Sequence, residues 1–442
     1  MRNTSSSLSV LAVVAVAVAA CAAPPSAVLP APAPGASTPS ELAALHDRYR
    51  VVGLERRDFT HARLWSGIGM LVEESSRLER TEAGRSVEGR PIYAVRFGHG
   101  PTRVLLWSQM HGDEPTATMA IADIFAFLAS SSDALAERLE SRLTVVFVPM
   151  LNPDGAERFQ RRNVMGIDIN RDARELVTPE GRTLKSLQET FRPQFGFNLH
   201  DQNVRTRVGR GSRLAAIALL APPYDEERSM NEVRDRATHV AAAVREAVEP
   251  FVGGHVTRYD DTFNPRAFGD LMQQWGVSTV LVETGGWRDD PEKQYLRKVN
   301  FVAFLSVLDA IATGAYMGAD PERYLELPFN GRSVDDLLVL GGTLVAPGMP
   351  PYAADLALNY EWPLRREEAR IVDVGDLREY EARDTLDVSG LFVHLRAAEE
   401  GVPYVAAGTT PATFEVRRGP ERDSPLVWRV VDGVPLPVEE GS

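Results

Sequence analysis

The chain has 442 residues, 44% hydrophobic and 25% charged, the composition of a folded globular protein long enough for one large domain and a smaller one. A formal net charge of −13 and the lack of any clustered Lys/Arg run speak against nucleic-acid binding, since a phosphate backbone is met with concentrated positive charge. The expected partner is a small molecule or a peptide.

Met1-Arg2-Asn3 precedes an apolar run from Leu8 to Ala20 that is short for a bilayer span, the layout of a secretion signal. The run ends in Val18-Ala19-Ala20-Cys21, which resembles the bacterial lipoprotein signal, where small residues precede a cysteine that is lipidated and becomes the new N-terminus. The alternative is a plain signal peptide cut nearby. Residues 1–21 are therefore expected to be a lipoprotein-type signal, with the chain lipid-anchored to a membrane through Cys21 in the bacterial cell envelope, periplasm or cell surface. Cys21 is the only cysteine, so stability must come from a core and not from disulfides. Residues 22–40, dominated by Ala, Pro and Ser, read as a tether.

From residue 41 helical patterns lead into an alternation of apolar, strand-length runs with longer amphipathic segments. Arg103 to Gln109, Leu143 to Met150, Gly196 to Leu199 and Ser278 to Val282 are predicted strands, and Ala117 to Leu139 and Glu227 to Val248 predicted helices. Near-continuous apolar strands between helices imply an α/β domain over 41–320, its sheet mixed, mostly parallel and flanked by helices. Beyond it, short runs at Leu337 to Leu340, Ala353 to Leu358, Arg370 to Val374 and Leu391 to Leu395 imply a small β-rich accessory domain over 321–442.

Metal-binding residue types fall where predicted strands end. His111-Gly112-Asp113-Glu114 follows one strand and His200 another, and in open α/β sheets functional groups gather at such carboxyl ends. Two imidazoles and a carboxylate leave a bound zinc one position for water, the arrangement of a hydrolytic site. Taken alone, an HxxE pair is more often a surface turn than a ligand pair. Glu283, in Val280-Leu281-Val282-Glu283, is a carboxylate on an apolar strand and needs a cation facing it.

The order Ser86-Val87-Glu88-Gly89-Arg90-Pro91-Ile92, the His111 turn, Asn152-Pro153-Asp154-Gly155, Arg161-Arg162-Asn163, Gly166 to Arg171, His200 and Glu283 resembles the motif series of zinc carboxypeptidases, over about residues 80–290. The resemblance implies one Zn²⁺ per chain held by His111, Glu114 and His200, with Glu283 as general base and Arg161 stabilising the oxyanion. It implies that Asn170 and Arg171 grip the terminal carboxylate of a peptide or amide substrate, and that Asp168 orients His111. Tyr259 is the one tyrosine in the window where the family places the residue that closes over substrate; an aromatic packed in a loop is the other reading. The 86 residues from Glu114 to His200 are fewer than in digestive members and closer to compact bacterial relatives and aspartoacylase-like deacylases; the turn Asp201-Gln202-Asn203 with Arg205, Arg207 and Arg210 reads as a solvated loop, the alternative being arginines that bind carboxylates of an acidic substrate.

The segment from Asp336 to Leu391 resembles the small β-domain of amidohydrolases without the metal-binding barrel that follows in them, so it reads as non-catalytic, with His394 structural. The function expected is removal of C-terminal residues from peptides. Cell-wall amidase or N-acyl amino acid deacylase activity at the same site, and a catalytically silent peptide-binding lipoprotein, are the alternatives.

Overall fold

The computed structural model describes residues 38–211, 213–363, 366–396, 405 and 407–438; the expected signal peptide with Cys21, and residues 22–37 of the expected tether, lie outside the described residues. The described chain opens with α1 (Pro39–Tyr49), α2 (His61–Glu74), β1 (Leu78–Arg85), β2 (Pro91–Phe97), β3 (Thr102–Ser108), α3 (Thr116–Ser130), α4 (Ala134–Arg142) and β4 (Leu143–Val148). It continues with α5 (Pro153–Glu157), α6 (Pro179–Phe191), β5 (Phe195–Asp201), β6 (Thr206–Val208), β7 (Ile217–Leu220), α7 (Glu232–Val252) and β8 (Val256–Arg258). Then come α8 (Phe268–Gln274), β9 (Ser278–Thr284), α9 (Gln294–Thr313) and α10 (Pro321–Leu325).

Eight strands form one mixed sheet in the order β1-β2-β4-β3-β5-β9-β7-β8. Its centre, β4-β3-β5-β9, is parallel, and the pairings β1/β2, β2/β4 and β9/β7 are antiparallel. Strand alternation divides the core in two. Val104 and Leu106 of β3 face a cluster containing Phe125 of α3, Val244 of α7 and Phe304 of α9, while Leu105 and Trp107 face one containing Leu184 of α6 and Phe268 of α8. Each such side chain, removed from water, contributes about 1.5–3 kcal/mol.

The helix predicted over Ala117 to Leu139 is two helices, bent by 98° at Ser131 to Asp133. The apolar period runs through the break, but Asp133 accepts the amide of Leu135 at 2.8 Å and starts α4 afresh. The helix predicted from Glu227 begins at Glu232, because Asn231 caps it by accepting the Arg234 amide at 2.9 Å.

The C-terminal part contains β10 (Asn330–Ser333), β11 (Asp335–Leu340), β12 (Thr343–Val345), β13 (Tyr352–Ala353), β14 (Asp355–Trp362), β15 (Glu367–Gly375) and β16 (Ala382–Asp387). It ends with β17 (Phe392–Leu395), β18 (Phe414–Arg417), β19 (Leu426–Val431) and β20 (Val434–Pro437). These build sheets β15-β14-β11-β16 and β13-β12-β17-β18-β19-β20 around a separate core that includes Leu356, Ile371, Val393 and Val416. Tyr324 and Leu327, placed beyond the expected boundary at 320, pack into the first core. His394 bonds the Gly419 carbonyl at 2.9 Å within the second part.

Candidate active site

The motifs around the site fold first as a scaffold. Asn152 caps α5 by accepting the Gly155 amide at 2.9 Å, and buried Asp154 accepts Ser86 Oγ at 2.8 Å, the Glu88 amide at 2.9 Å and Arg90 Nη1 at 2.6 Å. The first and third motifs are thus one hydrogen-bonded unit. Gly112 packs on this unit so closely that a Cβ there would lie 2.0 Å from the Gly155 carbonyl carbon, so the turn between His111 and Glu114 requires a glycine. Asn163 accepts the amides of Met165 and Ile167, both at 3.1 Å, and shapes the loop that returns Asp168 to the site.

His111 follows β3, His200 lies on β5, and Glu283 stands opposite His200 in register on the neighbouring parallel strand β9. The carboxyl ends of three strands therefore converge, as an α/β sheet favours. His200 Nδ1 lies 3.1 Å from His111 Nδ1 and 2.7 Å from Glu114 Oε2, and His111 Nδ1 lies 2.9 Å from Glu114 Oε1. The donor atoms of this buried trio fall within 4.8 Å of one another. Two ring nitrogens 3.1 Å apart beside a carboxylate, with Arg161 Nη1 also 3.1 Å from His111 Nδ1, make a donor set of the kind that holds a cation. The residues fit a zinc ion.

His111 Nε2 bonds Asp168 Oδ1 at 3.0 Å, which directs Nδ1 toward the trio. Asp168 Oδ2 in turn accepts Arg161 through Nε at 3.1 Å and Nη2 at 3.0 Å, and Arg161 Nη1 reaches Glu114 Oε1 at 3.2 Å. Asn170 lies beside His200, Nδ2 to Nε2 3.4 Å, and its Oδ1 accepts the Phe268 amide at 2.9 Å. The Arg171 guanidinium donates to the Asn170 carbonyl at 2.6 Å and lines the cleft.

All nine expected site residues within the described chain are brought to this region. His111, Glu114, Arg161, Asn170, Arg171, Tyr259 and Glu283 line one cleft of about 840 Å³, with His200 and Asp168 directly behind it. Tyr259 is 36% exposed, and the Glu283 carboxylate, with burial added, pushes its hydroxyl up to about 12. Burial opposes the charge of Glu283 and the Glu114 carboxylate repels it, so its carboxyl is pushed up to about 8. Burial likewise works against the His111 imidazolium, but Glu114 and Asp168 outweigh it and hold the ring up at about 9. A divalent cation at the trio opposes both shifts, since it repels the proton from each group.

Sequence reasoning missed a second layer. Asp201 Oδ2, one residue past His200, accepts Arg57 Nη2 at 2.8 Å, Thr116 Oγ1 at 2.7 Å and Lys293 Nζ at 3.2 Å. Asp201 is next to a ligand in the chain and could have been suspected; Arg57 and Lys293 arrive from remote loops that carry no motif. The arginines after His200, read as a solvated loop, include two that dock the C-terminal part: Arg205 Nη1 pairs with Asp336 at 3.0 Å and Arg207 Nη1 with Glu381 at 2.5 Å.

Among known proteins, the chain is 31% identical over 99 residues to "Probable carboxypeptidase 2" of Trichophyton verrucosum, covering 22% of this chain and 19% of that one. It is 32% identical over 117 residues to "Carboxypeptidase E" of Caenorhabditis elegans, covering 22% and 25%. The chain thus spans about a fifth to a quarter of the length of these curated relatives. A metallo-carboxypeptidase structure from Burkholderia cenocepacia is similar at 19% identity and TM-score 0.46, over 57% of this chain and 70% of that one. A carboxypeptidase A structure from Helicoverpa armigera is similar at 16% identity and TM-score 0.46, over 62% and 81%. Residues 69–235 match the family model described as zinc carboxypeptidase. That stretch holds His111, Glu114 and His200 together with Arg161, Asp168, Asn170 and Arg171, and over it the chain is similar to zinc carboxypeptidases.

Proposed function

We propose that this chain is a metallocarboxypeptidase that hydrolyses the last peptide bond of a substrate with a free terminal carboxylate. The observation that carries the reading is the meeting, in one cleft, of a buried His-Glu-His trio, an unneutralised carboxylate at Glu283 and two guanidinium groups, Arg161 and Arg171. A zinc ion held by the trio supplies a Lewis acid and lowers the pKa of water.

The protein's own groups do the rest. Glu283, raised by burial and drawn back by a nearby cation, has the affinity for a proton that a group needs to take one from the attacking water and hand it to the leaving amine. Arg161, locked on Asp168 by two contacts, presents a fixed positive charge that favours the developing oxyanion over the planar carbonyl. Arg171 and Asn170 hold the terminal carboxylate, for which a planar guanidinium is geometrically matched. Tyr259 borders the same space, placed to cover a bound substrate. We further propose secretion to the cell envelope with anchoring through Cys21, a reading that rests on the N-terminal sequence alone.

Peptides differing only in a free or amidated C-terminus test the reading. The metal-loaded protein is expected to shorten only the free-carboxylate forms by one residue, and Glu283→Gln to keep its metal while losing roughly 10²–10⁴-fold in turnover. Equal cleavage of both forms, or a fully active Glu283→Gln protein, overturns it; hydrolysis of N-acyl amino acids or wall fragments alone points to a deacylase or amidase.

A further inference from the structure

The accessory β-domain reaches the active-site cleft. The end of β14 places Glu361 and Trp362 on its wall, and Trp362 also lines a smaller adjoining recess with Arg57, Phe159 and Glu292. Trp362 is 45% exposed, a large apolar surface to leave in water at a cleft wall. Its position is fastened from below: Arg205, on the loop following the ligand strand β5, donates Nη1 to the Tyr360 carbonyl at 3.4 Å and to Asp336 at 3.0 Å. Asp336 also accepts the Tyr360 amide at 3.0 Å. The strand end is therefore referenced to the metal-binding strand through one arginine.

Facing Trp362 are two residues of the catalytic domain that the hydrolytic steps leave unused. Arg57 is only 4% exposed, yet its Nε and Nη1 have no hydrogen-bond partner, while Nη2 is taken by Asp201. Buried donors of this kind are costly unless something fills their valence, and this guanidinium lines the cleft. Phe159, whose ring lies under the guanidinium at 5.8 Å, is held at φ +47°, a conformation that costs free energy for a bulky residue and fixes its ring on the cleft.

Direction follows from the two arginine positions. Arg171 sits beside Asn170 and Arg266, and its charge is felt by Tyr259 and Asp270. Arg57 sits beside Asp113, Asp201 and Phe159, a set of neighbours that shares no residue with those of Arg171. A peptide with its carboxylate on Arg171 and its last peptide bond at the trio has to send the rest of its chain toward Arg57.

We propose that Arg57, Phe159 and Trp362 form a subsite for the residue on the acyl side of the cleaved bond: its carbonyl accepts from Arg57, and its apolar side chain lies between Phe159 and Trp362. The accessory domain is thereby a specificity element of the active site. This rests on the carboxypeptidase reading for the direction of the chain.

The test is titration of peptides with one C-terminal residue and Gly, Leu or Phe before it into the metal-loaded Glu283→Gln protein, alongside hydrolysis by wild type. Affinity, and kcat/KM through KM, are expected to rise about tenfold from Gly to Phe, and Trp362→Ala to erase most of that rise while keeping metal content and melting temperature. Phe159→Ala is expected to erase it too. No Gly-to-Phe rise, or equal loss on all three peptides in Trp362→Ala, overturns the subsite. If the affinity series holds but wild type hydrolyses none of the peptides, the carboxypeptidase reading falls, and Phe159 and Trp362 remain as a pocket for the penultimate side chain of a bound peptide.

Discussion

Asp168 binds the back of His111 with one oxygen and the side of Arg161 with the other, so a single carboxylate positions both side chains. Asp168→Asn keeps the shape but loses the charge that holds them, and metal affinity is expected to drop about 10–100-fold, measured by competition with a chromogenic chelator. Asp270 behaves differently. One of its oxygens accepts the Asn264 amide at 2.9 Å, but burial dominates and pushes the carboxyl up from 3.8 to about 7. A proton held more tightly in the folded state stabilises the fold fully below about pH 3.8, and this contribution is lost as pH rises through 7. Asp270→Asn cannot ionise, so it is expected to lose less stability than wild type between pH 5 and 8, by at most about 3 kcal/mol, compared by urea titration. A wild-type curve as flat as the variant's across that range contradicts the assignment.

At the scale of elements, α9 is tied to α3 by a fully buried pair, with Arg297 reaching Asp123 at 2.6 Å while also donating to the carbonyls of Val51 at 2.9 Å and Leu54 at 3.0 Å. One side chain thus fastens the loop that carries Arg57 to the two helices behind the sheet. Arg297→Ala leaves the buried Asp123 with only the Val51 amide at 2.7 Å and His46 Nε2 at 3.2 Å, and is expected to cost about 3–5 kcal/mol in equilibrium unfolding. The apolar runs of β3, β4, β5 and β9 were legible because strands covered on both faces need little else. The break between α3 and α4 was not: it depends on a local cap at Asp133 that competes with a continuing apolar period.

Across the whole molecule, Asp336 is the point where the two parts meet, 1% exposed and paired with both Arg205 and Arg383. Asp336→Ala leaves two arginines facing a void at the junction. Faster limited proteolysis between residues 327 and 335 is expected, with stability lowered by about 1–3 kcal/mol; an unchanged cleavage pattern shows that β10 pairing with β6 holds the parts together without the ion pairs.

The sequence by itself determined the α/β sheet, the candidate trio His111, Glu114 and His200, and the presence of a β-rich C-terminal part; roles for Glu283, Arg161, Asn170 and Arg171 it implied only through resemblance. These follow from chemistry written locally: apolar runs of strand length, and polar residues set at their ends. Only the tertiary structure decided that Arg57 and Lys293 converge on Asp201, that Arg205 docks the β-rich C-terminal part, and that Trp362 stands on the wall of the cleft. Such contacts join segments 90 to 300 residues apart through side chains whose types are common on any surface, and packing alone selects which of them meet.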